Sequence, residues 1–326
     1  MEADPCVRTC TSHEPSIMKD RLKIFSGTAN PQLAQEICAH LDVPLSEVEI
    51  STYSNENIFV QVRENVRERD VFVVQPVQTP TSIVELLLLL DSLRSASASR
   101  ITAVIPYYSY ARSDKKDMPR ISIAARLFAD VITTAGANRI LTMTLHSPQV
   151  HGFFSVPCDH LAATPILCDY FASKLDLSDF VALAADAGSA KRAGAYAQRL
   201  DIPLAFVDKR RVSDLQVEVR NVVGDVQSKN VIIFDDEIAA AGSLTETVNA
   251  IRRFDVRDIY AAATHGVLSG PAPERIRDMG GPIVHRTVAV TAELLIPVTP
   301  VRLHGLNGPR SQPFVPVDEW KKFAGS

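Results

Sequence analysis

From Leu22 onward, short apolar or β-branched runs alternate with amphipathic stretches of helical length, and few folds accommodate that alternation. Leu22–Ser26, Val71–Gln75, Ile101–Ile105, Ile140–Thr144, Val181–Ala185, Leu204–Val207, Val231–Phe234 and Ile259–Ala263 read as strands. Between many of them, Pro31–His40, Ile83–Ala96, Ile121–Thr134, Lys191–Leu200 and Leu244–Arg253 read as helices. A strand that is apolar along its whole length must be covered on both faces, and crossover helices supply that cover in parallel sheets. The expected class is α/β, with mostly parallel sheets flanked by helices. A chain of 326 residues suits two such sheets, with a boundary near Leu161–Tyr170. The expected organisation is a disordered tail over 1–20, one domain over 21–163, a second over 164–300, and an irregular Pro- and Gly-bearing tail over 301–326.

Composition narrows the function classes. With 46% hydrophobic and 22% charged residues and a formal charge of −4, the chain lacks the basic footprint that duplex nucleic acid selects. The longest apolar run, Ile83–Asp91, carries Glu85 and is far short of a bilayer span, so no membrane role is expected. Five cysteines without framework spacing argue against a disulfide-built secreted protein. Cys6, Cys10 and His13 sit in a stretch with no apolar periodicity, which reads as tail rather than metal cluster. The acidic opening Met1-Glu-Ala-Asp has no signal-peptide core, and the expected compartment is the reducing cytoplasm.

Ligands of open parallel sheets bind beyond the carboxyl ends of the strands. Charge gathers at those ends here. Val231–Phe234 leads into Asp235-Asp236-Glu237, then small residues and Gly242-Ser243 opening a helix. Small side chains let backbone N–H groups approach an anion at a helix N-terminus, while adjacent carboxylates suit sugar hydroxyls or hydrated Mg²⁺. That combination describes a sugar-phosphate site. Asp208-Lys209-Arg210-Arg211 follows Leu204–Val207 and could clamp a transferring phosphoryl group. Asp186-Ala-Gly188 follows Val181–Ala185, and His146 follows Ile140–Thr144, where it could meet Mg²⁺ or phosphate. No Walker loop and no dinucleotide-binding glycine fingerprint occurs.

At these residues the chain resembles the ribose-phosphate pyrophosphokinases, the phosphoribosyl pyrophosphate synthetases, over roughly Lys23 to Asp278. The likeness rests on Phe25-Ser-Gly-Thr-Ala-Asn-Pro31, Glu64-Asn-Val-Arg67, Ile101-Thr-Ala-Val-Ile-Pro-Tyr107 and Tyr110-Ala-Arg-Ser-Asp114. It continues through Leu145-His146, Gly152-Phe-Phe154, Asp186-Ala-Gly188, Asp208-Lys-Arg-Arg211, Gly224-Asp-Val226, Asp235-Asp236 and Thr264-His-Gly-Val-Leu-Ser-Gly-Pro271. The resemblance implies two phosphoribosyltransferase-like domains and transfer of the β,γ-diphosphate of Mg-ATP to ribose 5-phosphate. It implies Lys209 and Arg211 as transition-state cations on a mobile loop, and His146 and Asp186 as holders of Mg²⁺. Asp235 and Asp236 would take the ribose hydroxyls, with Arg211 and Ala239, Ala240, Ala241, Gly242 and Ser243 around the 5-phosphate. Arg112, Ser113 and Asp114 would line the ATP site. Tyr53, Asn55, Glu56 and Asn57 would close over adenine from a neighbouring subunit of a homo-oligomer.

The chain departs from the family pattern at several of these points. Phe-Ser-Asp-Gly-Glu becomes Tyr53-Ser-Asn-Glu-Asn57, and the Gln of Tyr-Ala-Arg-Gln-Asp becomes Ser113. The Asp before the Leu-His pair becomes Thr144, which leaves His146 without its expected partner. Asp-Asp-x-x-Asp-Thr-x-Gly-Thr becomes Asp235-Asp-Glu-Ile-Ala-Ala-Ala-Gly-Ser243, losing side-chain hydrogen bonds but no backbone donors. The first reading is an active synthetase with retuned substrate affinity; the second is a catalytically weak homologue serving as a regulatory or assembly subunit.

Overall fold

In a computed structural model, the described residues are 21–213, 216–279, 287–291 and 301–303, with backbone alone for 209–213, 216–220, 287–291 and 301–303. The chain divides into two compact units, one comprising residues up to 142 together with 149–159, the other 143–148 and 160 onward.

The first unit is built on a five-stranded sheet of order β1-β4-β5-β6-β7, from Leu22–Ser26, Asp70–Val74, Arg100–Ile105, Arg139–Met143 and Cys158–Leu161. The pairs β1–β4, β4–β5 and β5–β6 are parallel. Its helices are α1 (Pro31–Leu41), α2 (Pro80–Ser95) and α3 (Ala124–Ala135). Helix α1 starts where Asn30 accepts from the Leu33 N–H and Pro31 presets the first turn. Helix α2 starts with a Thr79–Ser82 capping box. Ile83, Leu86, Leu89, Leu90 and Leu93 of α2 are buried, and Glu85 is buried with them, while Val84 is exposed. Glu85 accepts from Thr28 N–H (3.0 Å), Thr28 Oγ1 (2.7 Å) and Gln75 Nε2 (2.8 Å), which ties the loop after β1 to α2. That loop begins at Gly27, where a Cβ would lie 2.2 Å from Gln75 Oε1, so any larger residue would push the Gln75 amide off its contact with Glu85. A separate antiparallel hairpin, β2 (Val48–Thr52) and β3 (Ile58–Val62), was not read as strand in the sequence.

The second unit carries a seven-stranded sheet of order β10-β9-β8-β11-β12-β13-β14. Its strands are β8 (Phe180–Ala184), β9 (Leu204–Ser213), β10 (Gln216–Val223), β11 (Asn230–Glu237), β12 (Ile259–His265), β13 (Thr287–Thr291) and β14 (Val301–Leu303). Strands β9, β8, β11, β12 and β13 run parallel, with antiparallel β10 and β14 on the edges. The sheet is flanked by α4 (Thr164–Lys174), α5 (Ala190–Leu200), α6 (Gly242–Ile251) and α7 (Ala272–Asp278). Successive residues of the central strands enter opposite cores. Val181, Leu183, Val231 and Ile233 pack with Val248 and Ile251, while Ala182, Ile232 and Phe234 pack with Phe171 and Tyr196. Phe234 and Tyr196 stack at 4.1 Å, and burial of each such ring contributes roughly 2–3 kcal/mol.

Three sequence expectations change. Strand β11 runs on through Asp235, Asp236 and Glu237, so the two acids belong to the strand and not to a loop. Strand β9 does not stop at Val207: Lys209 and Arg211 lie on it, paired with Val219 and Val217 of β10. An antiparallel ladder needs no apolar run to continue, so a run of charge did not end the strand. Val301–Leu303 pairs with β13 where the sequence reads as irregular tail. The remainder of that tail and the 1–20 segment lie outside the described residues.

Candidate active site

The C-terminal end of β11 is the densest chemical feature of the second unit. Asp236 is 2% exposed yet ionic: Arg192 Nη1 lies 2.5 Å from its Oδ1, and His146 Nδ1 donates to its Oδ2 at 2.7 Å. Asp235, whose side chain is 32% exposed, lies 3.9 Å from Arg192 Nη2. Burial alone would raise Asp236, but the His146 and Asp235 hydrogen bonds and the Arg192 charge overcome it and hold its carboxyl below the ordinary range. Asp235 moves the other way. Close surrounding protein, then the hydrogen bond and charge of Asp236, push it up to about 7. Adjacent carboxylates thus divide their work, Asp236 as a buried fixed anion and Asp235 as the group nearer solvent.

Thr144 removes the family's expected partner of His146, yet His146 has a partner in Asp236. Because a carboxylate only accepts, Nδ1 carries the proton, and any ligand at this ring is met by Nε2. Arg192 was missed in the sequence. The available signal was its place in the first turn of α5, directly after the Asp186–Ser189 loop.

Beyond β11 the backbone turns into the small-residue loop. Ile238 N–H donates to His265 O (2.8 Å), while Leu268 N–H and Ser269 N–H donate to the carbonyls of Ile238 (3.0 Å) and Ala239 (3.1 Å). Arg275 Nη1 donates to Ala240 O (2.9 Å), and Thr245 N–H donates to Ala241 O (3.0 Å). In a trans peptide the N–H points opposite to the C=O. Anchoring these four carbonyls therefore turns the N–H groups of Ala239, Ala240, Ala241 and Gly242 the other way. Ala241 takes a left-handed conformation (φ +58°) as the N-cap of α6, with no side chain closing the cap. Ser243 lies in the first turn of that helix. Backbone donors left without carbonyl partners of their own loop, at a helix start that no side chain caps, suit an anion.

The Asp186 loop is closed locally: Ser189 N–H donates to Asp186 Oδ1 (2.8 Å), and Ser189 Oγ donates to Asp186 O (3.0 Å). The Asp186 side chain remains exposed at the end of β8. Among the described residues, no three His, Cys, Asp or Glu gather into a metal cluster. Mg²⁺ typically keeps several waters and takes one or two carboxylates plus substrate phosphates, so the exposed oxygen donors of Asp186 fit that ion. Lys209 and Arg211 are placed by backbone on β9; their side chains lie outside the described residues.

In the first unit, the chain after β5 forms a single 3₁₀ turn over Ser109–Arg112, bolted to α3. Tyr108 Oη donates to Ala125 O (2.9 Å), and the Tyr110 ring stacks on Phe128 at 4.3 Å. Ala125 N–H donates to Ser113 O (3.2 Å), and Asp114 accepts from Gln149 Nε2 (2.8 Å). Arg112 is exposed beside them. Tyr53–Asn57 forms the tip of the β2–β3 hairpin, closed by Tyr53 N–H to Asn57 O (2.8 Å) and Glu56 N–H to Tyr53 O (2.9 Å). Asn55 Oδ1 accepts from Asn57 N–H (3.2 Å), and Tyr53 is 55% exposed. Glu56 sits at φ +66°, where the family pattern has glycine.

Comparison with known proteins agrees along the chain. The family model for the N-terminal domain of ribose phosphate pyrophosphokinase matches residues 22–136, and that for the phosphoribosyl transferase domain matches 162–292. A ribose-phosphate pyrophosphokinase of Deinococcus radiodurans is 57% identical over 258 residues, covering 78% of this chain and 81% of that protein. One from Clostridium perfringens is 46% identical over 261 residues, covering 79% and 82% respectively. The crystal structure of phosphoribosylpyrophosphate synthetase from Mycobacterium smegmatis superposes with a TM-score of 0.76 at 37% identity, covering 85% of this chain and 96% of that one. On its matched domains, its identity to these enzymes and its fold, the chain belongs to the ribose-phosphate pyrophosphokinase family.

Proposed function

We propose that the chain transfers the β,γ-diphosphate of ATP to the 1-hydroxyl of ribose 5-phosphate, giving phosphoribosyl pyrophosphate and AMP for nucleotide biosynthesis. The observation that carries this reading is the β11 end. A solvent-side carboxylate, Asp235, stands beside a loop whose carbonyls at 238–241 are anchored, which turns the N–H groups of 239–242 away from those contacts at a helix start that no side chain caps. Asp235, with Asp236 behind it, takes the ribose hydroxyls, and residues 239–243 hold the 5-phosphate through backbone donors. The 1-hydroxyl oxygen bonds to the β-phosphorus as that atom's bond to the α,β-bridging oxygen breaks. AMP leaves with the bridging oxygen, and the hydroxyl proton passes to solvent.

Lys209 and Arg211, together on the β9 arm, stabilise the charge that develops on the transferring group. Asp186 and His146 would hold Mg²⁺, which when bound neutralises phosphate charge. Arg112, Ser113 and Asp114 serve the ATP side in domain 21–163, and domain 164–300 serves ribose 5-phosphate. The exposed hairpin tip carrying Tyr53, Asn55, Glu56 and Asn57 reaches the adenine of a neighbouring subunit in a homo-oligomer acting in the cytoplasm. Among the described residues, no helix is long and apolar enough to cross a membrane.

The test is release of AMP from ATP that depends on both ribose 5-phosphate and Mg²⁺. Lys209→Ala should lower kcat far more than it raises KM for either substrate. Absence of AMP at saturating substrates and inorganic phosphate would refute the synthetase reading and favour the regulatory homologue.

A further inference from the structure

We propose that His265 is a positioning residue for His146, acting through the backbone of the turn that carries it; the proposal rests on the reading of His146 given above. His265 ends β12 and is 3% exposed. Its Nε2 lies 3.0 Å from Met143 O and 3.3 Å from Thr144 O. Carbonyl oxygens only accept, so this nitrogen carries the proton and donates to both.

The turn it grips is strained. Thr144 is β-branched and held at φ +41°, a left-handed conformation that such residues rarely adopt. Strain of this kind persists only where surrounding contacts over-determine the backbone. Here they do. Thr144 N–H donates to Leu161 O (2.8 Å), Thr144 Oγ1 accepts from Ala163 N–H (3.1 Å), and Leu145 N–H donates to His160 Nε2 (2.9 Å). His160 therefore accepts with the same ring atom through which His265 donates, so two histidines of opposite hydrogen-bonding polarity clamp one turn. The next residue is His146, delivered with Nδ1 on Asp236.

His265 also reaches the phosphate side. Its carbonyl accepts from Ile238 N–H at 2.8 Å, fixing the start of the loop over 239–243. One buried residue thus sets the backbone that presents His146 and the backbone that presents the loop donors. Partner groups that orient metal-side ligands typically change metal affinity or activity 10–100-fold when removed. His265 acts one bond further back, which points to the lower end, about tenfold.

The experiment uses the full chain with His265→Phe, which fills the ring volume without a donor, and His265→Gln, which keeps an N–H donor. Amide hydrogen exchange over residues 143–148 should quicken at least tenfold in the Phe variant and stay near wild type in the Gln variant. The Mg²⁺ concentration giving half-maximal AMP formation should rise about tenfold in the Phe variant, with KM for ribose 5-phosphate unchanged, and Gln should restore it. Should His265→Phe fail to fold, His160→Ala releases the same turn from its more exposed side and should reproduce both effects. Unchanged exchange over 143–148 overturns the proposal. So does faster exchange with unchanged Mg²⁺ dependence, provided that His146→Ala itself shifts that dependence. If His146→Ala leaves it unmoved, the underlying reading of His146 falls, and the positioning role falls with it.

Discussion

The ion pair between Arg192 and Asp236 offers the sharpest energetic test of the acid strand end. Asp236 is almost wholly buried, and its nearest cationic contact is Arg192 Nη1 at 2.5 Å. Charge centres about 4 Å apart interact by about 4 kcal/mol at an effective dielectric near 20. A quarter of the Arg192 side chain remains exposed, so solvent screening and the cost of desolvation remove roughly half of that. A coupling of about 2 kcal/mol remains. Arg192→Ala leaves the buried carboxylate with its His146 and Asp235 contacts but without the guanidinium, and should destabilise by about 3 kcal/mol, whereas Asp236→Asn keeps the shape while removing the charge. Urea unfolding of wild type, both single variants and the double variant, followed by far-UV circular dichroism, gives the cycle. The double variant should be about 2 kcal/mol more stable than the sum of the singles requires. A coupling below about 0.5 kcal/mol would mean that Asp236 owes its ionised burial to something other than Arg192.

Two further outcomes follow from single positions. Glu56→Gly should stabilise the chain by about 0.5–1 kcal/mol, because relief of the left-handed backbone at φ +66° exceeds the added freedom of glycine in the unfolded chain. A lowered denaturation midpoint in urea would show that the Glu56 side chain compensates its backbone. Glu85→Leu should destabilise by about 1–3 kcal/mol, since it strips the acceptor from the buried Gln75 amide, whereas the exposed Thr28 donors can turn to water. A loss under about 1 kcal/mol, read by the same method, would show that those donors find other partners.

What the sequence reveals here depends on how far apart the partners are. Val231–Phe234 was legible because all four residues are apolar and β-branched or aromatic, which suits a short strand covered on both faces by two cores. Helices α1 and α2 were legible to within a few residues from their amphipathic runs, while the caps at Asn30 and Thr79–Ser82, which set their starts, were not read. The outer reach of β9 was not legible, since a backbone ladder satisfies itself without an apolar signature, and the β2–β3 hairpin was missed although Val48-Glu-Ile50 alternates and Ile58-Phe-Val-Gln-Val62 is rich in strand-forming residues. The site divides in the same way. Asp235, Asp236 and the small-residue loop are contiguous, and could be found. Their environment could not, because the groups that permit a carboxylate to stay ionised inside a strand come from α5 and from a turn 90 residues upstream. Thr144 makes the point most directly. Taken one position at a time it reads as a lost partner for His146, yet the partner is Asp236, and Thr144 instead bends the chain at φ +41° so that His146 reaches it. A departure from a family pattern therefore measures lost function only after the folded chain has been searched for the contacts that the neighbouring residues make.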